Sequence, residues 1–87
     1  MLEIDELRRR VDEAGVPFRE LGSLTKNFIT HGVAYSRICD AFRGWVELKD
    51  EELAAVEDAL NLALRMRAEK FNRLLVASTG HEQEVSA

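Results

Sequence analysis

From Asp50 to Ala77 the chain runs for 28 residues without a glycine or proline, DEELAAVEDALNLALRMRAEKFNRLLVA. Leu53, Val56, Leu60, Leu64, Phe71, Leu74 and Leu75 recur in it at helical spacing. Such a run predicts one helix of roughly 40 Å at 1.5 Å per residue. Eighty-seven residues leave room for a single core, and three short helices cannot cover so long a rod. Part of its apolar stripe, broadened by Leu62 and Met66, therefore needs another surface. Asp50 is the expected N-cap, and the polar segment STGHEQEVSA ends the chain.

Upstream, the same three-and-four periodicity is cut at Gly15, Gly32 and Gly44. A first helix is expected from about Leu2 to Ala14, with Ile4, Leu7, Val11 and Ala14 on one face and Arg8, Arg9 and Arg10 solvated around the rest. Pro17 opens a second, in which Phe18, Leu21, Leu24 and Phe28 are spaced helically. Gly22 and Ser23 leave open whether residues 17–31 form one helix or two. A third is expected over about Ala34 to Arg43, with Ile38, Ala41 or Phe42, and Trp45 facing inward, and Tyr35, Ser36, Arg37, Asp40 and Arg43 outward. The expected fold is all-α, with four or five helices: a single domain over 1–78, an oligomerisation helix at about 50–77, and a disordered tail at 79–87.

Several chemistries are absent from the pattern. One cysteine, Cys39, and two histidines, His31 and His81, form no spaced metal set, and no Ser-His-Asp constellation or glycine-rich phosphate loop is readable, so no enzyme, metal or cofactor is expected. Cys39 reads as a small half-buried hydrophobe and His31 as a solvated loop residue. No apolar run approaches the roughly 20 residues of a membrane span, and the start, MLEIDELRRR, lacks the order of a signal peptide. A cytoplasmic setting is the expectation. The net charge of −4 is unevenly spread. Between Ala14 and Val46, Arg19, Lys26, Arg37 and Arg43 stand against Glu20 and Asp40, whereas Glu47 to Asp58 holds six acids and only Lys49. Binding to phosphates needs local Lys and Arg, and the first of these segments supplies them.

Residues 32–44, GVAYSRICDAFRG, resemble the second half of a helix-turn-helix of the lambda-repressor and Cro-like family, with Gly32, Val33, Ser36, Ile38, Arg43 and Gly44 at the matching places. The upstream LRRRVDEAGVPFREL is similar to the family's opening, and together the matches cover about half the chain. Two departures stand out. Nine residues, SLTKNFITH, separate Leu21-Gly22 from Gly32 where the family has about three, and Pro17-Phe18 replaces its Ser-Gln. The resemblance implies a small phage-type transcriptional repressor that binds double-stranded operator DNA as a homodimer or higher homo-oligomer, and it leaves room for an antagonist protein. Tyr35, Ser36, Arg37 and Asp40 would lie nearest the bases, with Lys26, Thr30, His31 and Arg43 toward flanking phosphates. Self-association would use Leu60, Leu64, Phe71, Leu74 and Leu75, supported by Glu57 and Asp58 facing Arg65, Arg67, Lys70 and Arg73 of an antiparallel copy. Two readings stay beside it: a plain helical bundle, and a helical adaptor or inhibitor that captures a protein through the acidic 47–58 face and the long helix.

Overall fold

The structure, a computed structural model, describes the backbone of residues 3–86 and the side chains of residues 3–76. It is all-helical: α1 (Ile4–Ala14), α2 (Phe18–Thr25), α3 (Tyr35–Phe42) and α4 (Asp50–Ser86). Among the described residues no helix is long and apolar enough to cross a membrane. α2 lies at the centre, packed on both α3 and α4, and α1 closes against those same two helices. Leu7 and Val11 of α1, Leu21 of α2, Ile38 and Phe42 of α3, and Val56, Ala59, Leu60 and Ala63 of α4 fill the core between them. Burying one such Leu or Ile contributes about 1.5–3 kcal/mol, so this handful of side chains dominates the folding energy.

The three glycines punctuate as expected. Gly15 (φ 67°) ends α1, its N–H donating to the carbonyls of Val11 and Asp12. Gly44 (φ 82°) turns the chain out of α3. α4 starts at Asp50 itself, one residue earlier than a cap there would place it. Lys49 stands before its first turn, and Glu52 reaches back to accept the Lys49 N–H at 3.0 Å, satisfying a donor that the helix start leaves unpaired. At the other end α4 continues to Ser86, past the expected stop near Ala77 and through the segment expected to be disordered. A lone Gly80 costs a helix only about 1 kcal/mol, and the good helix formers Glu82, Gln83 and Glu84 follow it with no proline to stop them. The side chains of that segment, and all of Ala87, lie outside the described residues.

α2 ends at Thr25, so the surplus residues between Gly22 and Gly32 belong to the connection and not to a longer helix. Thr25 closes that connection at its base. Its buried hydroxyl accepts the Val33 N–H at 2.7 Å and donates to the Gly22 carbonyl at 2.5 Å. Residues 26–32 form a run of turns between the two clipped ends, and Gly32 (φ 66°) completes it. The clip brings α3 down onto Gly22. A Cβ at Gly22 would stand 3.0 Å from the Tyr35 nitrogen and 3.1 Å from the Val33 oxygen, backbone atoms that cannot swing aside.

Phe18, at the departure from the family's Gln, packs edge-on against Phe42 with centroids 5.7 Å apart, which ties the start of α2 to the end of α3. Arg8 leaves the expected solvated face and donates to the Phe42 carbonyl at 3.1 Å, satisfying an end-of-helix acceptor, while Arg9 and Arg10 pair locally with Glu6 and Glu13. Replacing Thr25 by Val leaves the buried Val33 N–H without an acceptor. Thr25→Val should cost about 1–3 kcal/mol in urea denaturation, whereas Thr25→Ser, which keeps the hydroxyl, should lose clearly less.

Candidate nucleic-acid interface

α2 and its C-cap residue present Arg19, Ser23 and Lys26 at spacings of four and three, which puts them on one side of the helix. The clipped connection sets His31 beside them, and Val33, Ala34 and Tyr35 form the opposite wall of a groove of about 300 Å³. No acidic residue lines it. The Arg19 guanidinium lies 5.3 Å from the centroid of the Tyr35 ring, so the groove wall is an arginine stacked on an aromatic at the first turn of α3. Tyr35 is 47% exposed and Ser36 is exposed beside it. The groove thus joins cations, hydroxyls and the amino end of a helix, groups that suit phosphate oxygens.

This geometry sorts the residues expected at a DNA surface. Lys26, His31 and Tyr35 line the groove together, with Ser36 adjacent on α3. Thr30 does not. It faces the other side of the connection, toward Lys49, Glu51 and Glu52. Arg43 stands at the far end of α3, its guanidinium 5.0 Å from the centroid of the Trp45 ring. Asp40 is half-buried, and its carbonyl accepts the Trp45 N–H at 2.9 Å in the turn that ends the helix.

Arg37 requires a correction. Its Nε and Nη2 donate to both oxygens of Glu52, at 2.9 and 3.0 Å, in a two-pronged pair that holds the middle of α3 against the start of α4. A guanidinium held in this way is a structural tie and is not available to a base edge without breaking the pair. The hydrogen bond to Glu52 strengthens the hold of Arg37 on its proton, and Glu52 is held below its ordinary value by Arg37 first and by the Lys49 N–H second.

Trp45 also departs from expectation. It is 70% exposed and not part of the core, because Gly44 turns the chain before the helical register could carry it inward. Leu60, expected at an interface between copies, is 1% exposed and belongs to the chain's own core under α2. Leu64, Phe71, Leu74 and Leu75 are exposed beyond it, as expected. Of the cations expected to face a second copy, Arg67 is bound to Glu20 of its own α2, Nη2 to Oε1 at 3.1 Å. Ser23 is a groove residue that the sequence did not single out, and Arg19 was counted among the local cations without being placed at this surface; their spacing with Lys26 was the available signal. Cys39 is half-buried, and among the described residues no group of acids, histidines and cysteines could hold a metal ion.

The Arg37–Glu52 tie has a pH signature. Because the folded state lowers the Glu52 pKa, it releases that proton more readily than the unfolded chain, and the stability gained is present above the unfolded carboxylate pKa and lost as pH falls through the folded one. Thermal melts of the unmodified chain should show Tm falling on acidification below about pH 4.5, and Glu52→Gln should be less stable at neutral pH with a shallower fall. Comparison with protein-family models, with curated proteins and with solved structures finds no match for the chain.

Proposed function

We propose that the chain is a sequence-specific DNA-binding regulator of transcription, acting as a homo-oligomer, in which the α2–α3 face meets the duplex. The observation that carries this reading is the groove of Arg19, Ser23, Lys26, His31 and Tyr35, which contains no acid in a chain whose net charge is −4. A surface serving only solubility in an acidic protein has no reason to exclude carboxylates from one continuous strip. With α2 across a phosphate backbone, Arg19, Ser23 and Lys26 position the domain, and the exposed first turn of α3, Tyr35 and Ser36, approaches base edges in the major groove. Arg43, beside Trp45, reaches a phosphate farther along. The resemblance of residues 32–44 to the recognition half of a helix-turn-helix supports the same orientation, and the clipped connection accounts for how a longer link can keep it.

One module of this size reads few base pairs, so pairing of two modules supplies affinity and matches a palindromic site. The exposed Leu64 and Phe71 on the part of α4 beyond the core support self-association. The acidic adaptor reading is weakened by Glu52, which is committed to Arg37 and Lys49 inside the fold.

The test is a gel-shift titration against the DNA upstream of its own gene. Sequence-selective binding is expected, and its absence at moderate salt overturns the reading. Arg19→Ala and Lys26→Ala should each weaken binding and reduce the magnitude of the slope of log K against log salt by about 0.9. Glu51→Lys with Asp58→Lys should leave selectivity unchanged; under the adaptor reading that pair of reversals would abolish partner capture.

A further inference from the structure

An open cleft of about 670 Å³ lies at the base of α4, and it shares no lining residue with the cationic groove. Its floor is apolar, made by Ile4, Leu48 and Leu53 and flanked by Trp45 and Val46. The charged residues lining it are all acids: Glu3, Glu47 and Asp50. Arg43 covers one face of the Trp45 ring, and the indole remains the most exposed large hydrophobe among the described residues. An apolar floor with an acidic rim calls for an occupant that is apolar in the middle and basic at its edges.

The described part of the chain contains one segment of that character, and it lies on α4 itself. Residues 64–76 expose Leu64, Phe71 (66%) and Val76 and carry Arg65, Lys70 and Arg73, with Glu69 the one acid. This segment cannot fill the cleft of its own chain. Leu53, in the cleft, and Phe71 are 18 residues apart on a continuous helix, about 27 Å at 1.5 Å per residue. A second copy running antiparallel removes the obstacle, because the far end of its α4 then lies beside the near end of this one. Under a two-fold axis the exchange is reciprocal, and each copy supplies both a cleft and an occupant.

We infer that the Ile4–Trp45–Leu53 cleft is the docking site for residues 64–76 of a second copy of this chain. The pairing covers Trp45 and Phe71 together and sets the arginine and lysine side chains of one copy against Glu3, Glu47 and Asp50 of the other. This inference rests on the self-association in the proposed function and is independent of DNA binding, and it replaces a pairing of two leucine stripes with a cleft as the receiving surface.

Trp45 is the only tryptophan in the sequence, so its emission reports on the cleft alone. Two variants separate the halves of the contact: Phe71→Asp keeps the cleft and its tryptophan but spoils the occupant, and Trp45→Phe keeps the occupant and is dark. Both positions are exposed, and circular dichroism checks that each variant folds. Emission of the Phe71→Asp chain alone should be that of a solvated indole at every concentration. Adding excess Trp45→Phe chain should shift it to the blue in a saturable way, and adding Glu47→Lys to the tryptophan-bearing chain should weaken that response several-fold. A Phe71→Asp emission unmoved by the dark chain overturns the inference, whether sedimentation then shows monomers or copies paired through another surface. Gel shifts on the same variants report DNA binding separately, so failure of the cleft and failure of the DNA reading remain distinguishable.

Discussion

The Thr25 hydroxyl decides how α2 and α3 meet. A side chain that both accepts the Val33 N–H and donates to the Gly22 carbonyl fixes two chain segments eight residues apart, at a point where neither backbone group has a helical partner. Without that closure, the turns of residues 26–32 would be a flexible tether and α3 would have no defined height on α2. With it, Val33 enters the core and Tyr35 lands against Gly22, where the absence of a Cβ allows backbone to approach backbone. Every feature of the cationic groove follows from that contact, since one wall belongs to α2 and the other to the start of α3.

A second constraint acts from behind. α3 is only eight residues long, too short to be stable by itself, and three separate ties hold it: Gly22 at its start, the Arg37–Glu52 pair at its middle, and Phe18 with Arg8 at its end. Arg37, expected near the bases, thus orients the helix, and the cations that line the groove are on α2 and in the connection. The division is physically reasonable, because a helix presented to DNA must be rigid before its exposed residues can discriminate, and a partly buried, two-pronged pair confers more rigidity than an exposed one.

Sequence periodicity was sufficient for the helices, because apolar spacing and the positive-φ glycines at 15, 32 and 44 are local signals. It failed where the outcome depends on distant atoms. Nothing local to Thr25 says that its hydroxyl will find Val33, so the length of α2 stayed open. Arg37 finds Glu52 fifteen residues on, across a turn whose course is not encoded near either residue. The inward assignment of Trp45 extended a helical wheel across Gly44, where the helix has already ended. Leu60 and Leu64 are one turn apart on the same stripe, and only the packed position of α2 determines that the first is core and the second exposed. At the groove, Lys26, His31, Tyr35 and Ser36 were legible through the resemblance, whereas Arg19 and Ser23, on the preceding helix, became visible as neighbours of Tyr35.

The proposed function requires the α2–α3 face, held by the Thr25 closure, to be the surface that meets DNA. Amide hydrogen exchange of the chain, free and bound to a duplex from upstream of its own gene, tests this most directly, because it locates the contact without altering a residue. Slowed exchange is expected over residues 19–26 and 31–36, with residues 50–58 at the acidic start of α4 unchanged. Protection confined to residues 50–58, or no difference over residues 19–36 in a demonstrably bound complex, would contradict the account.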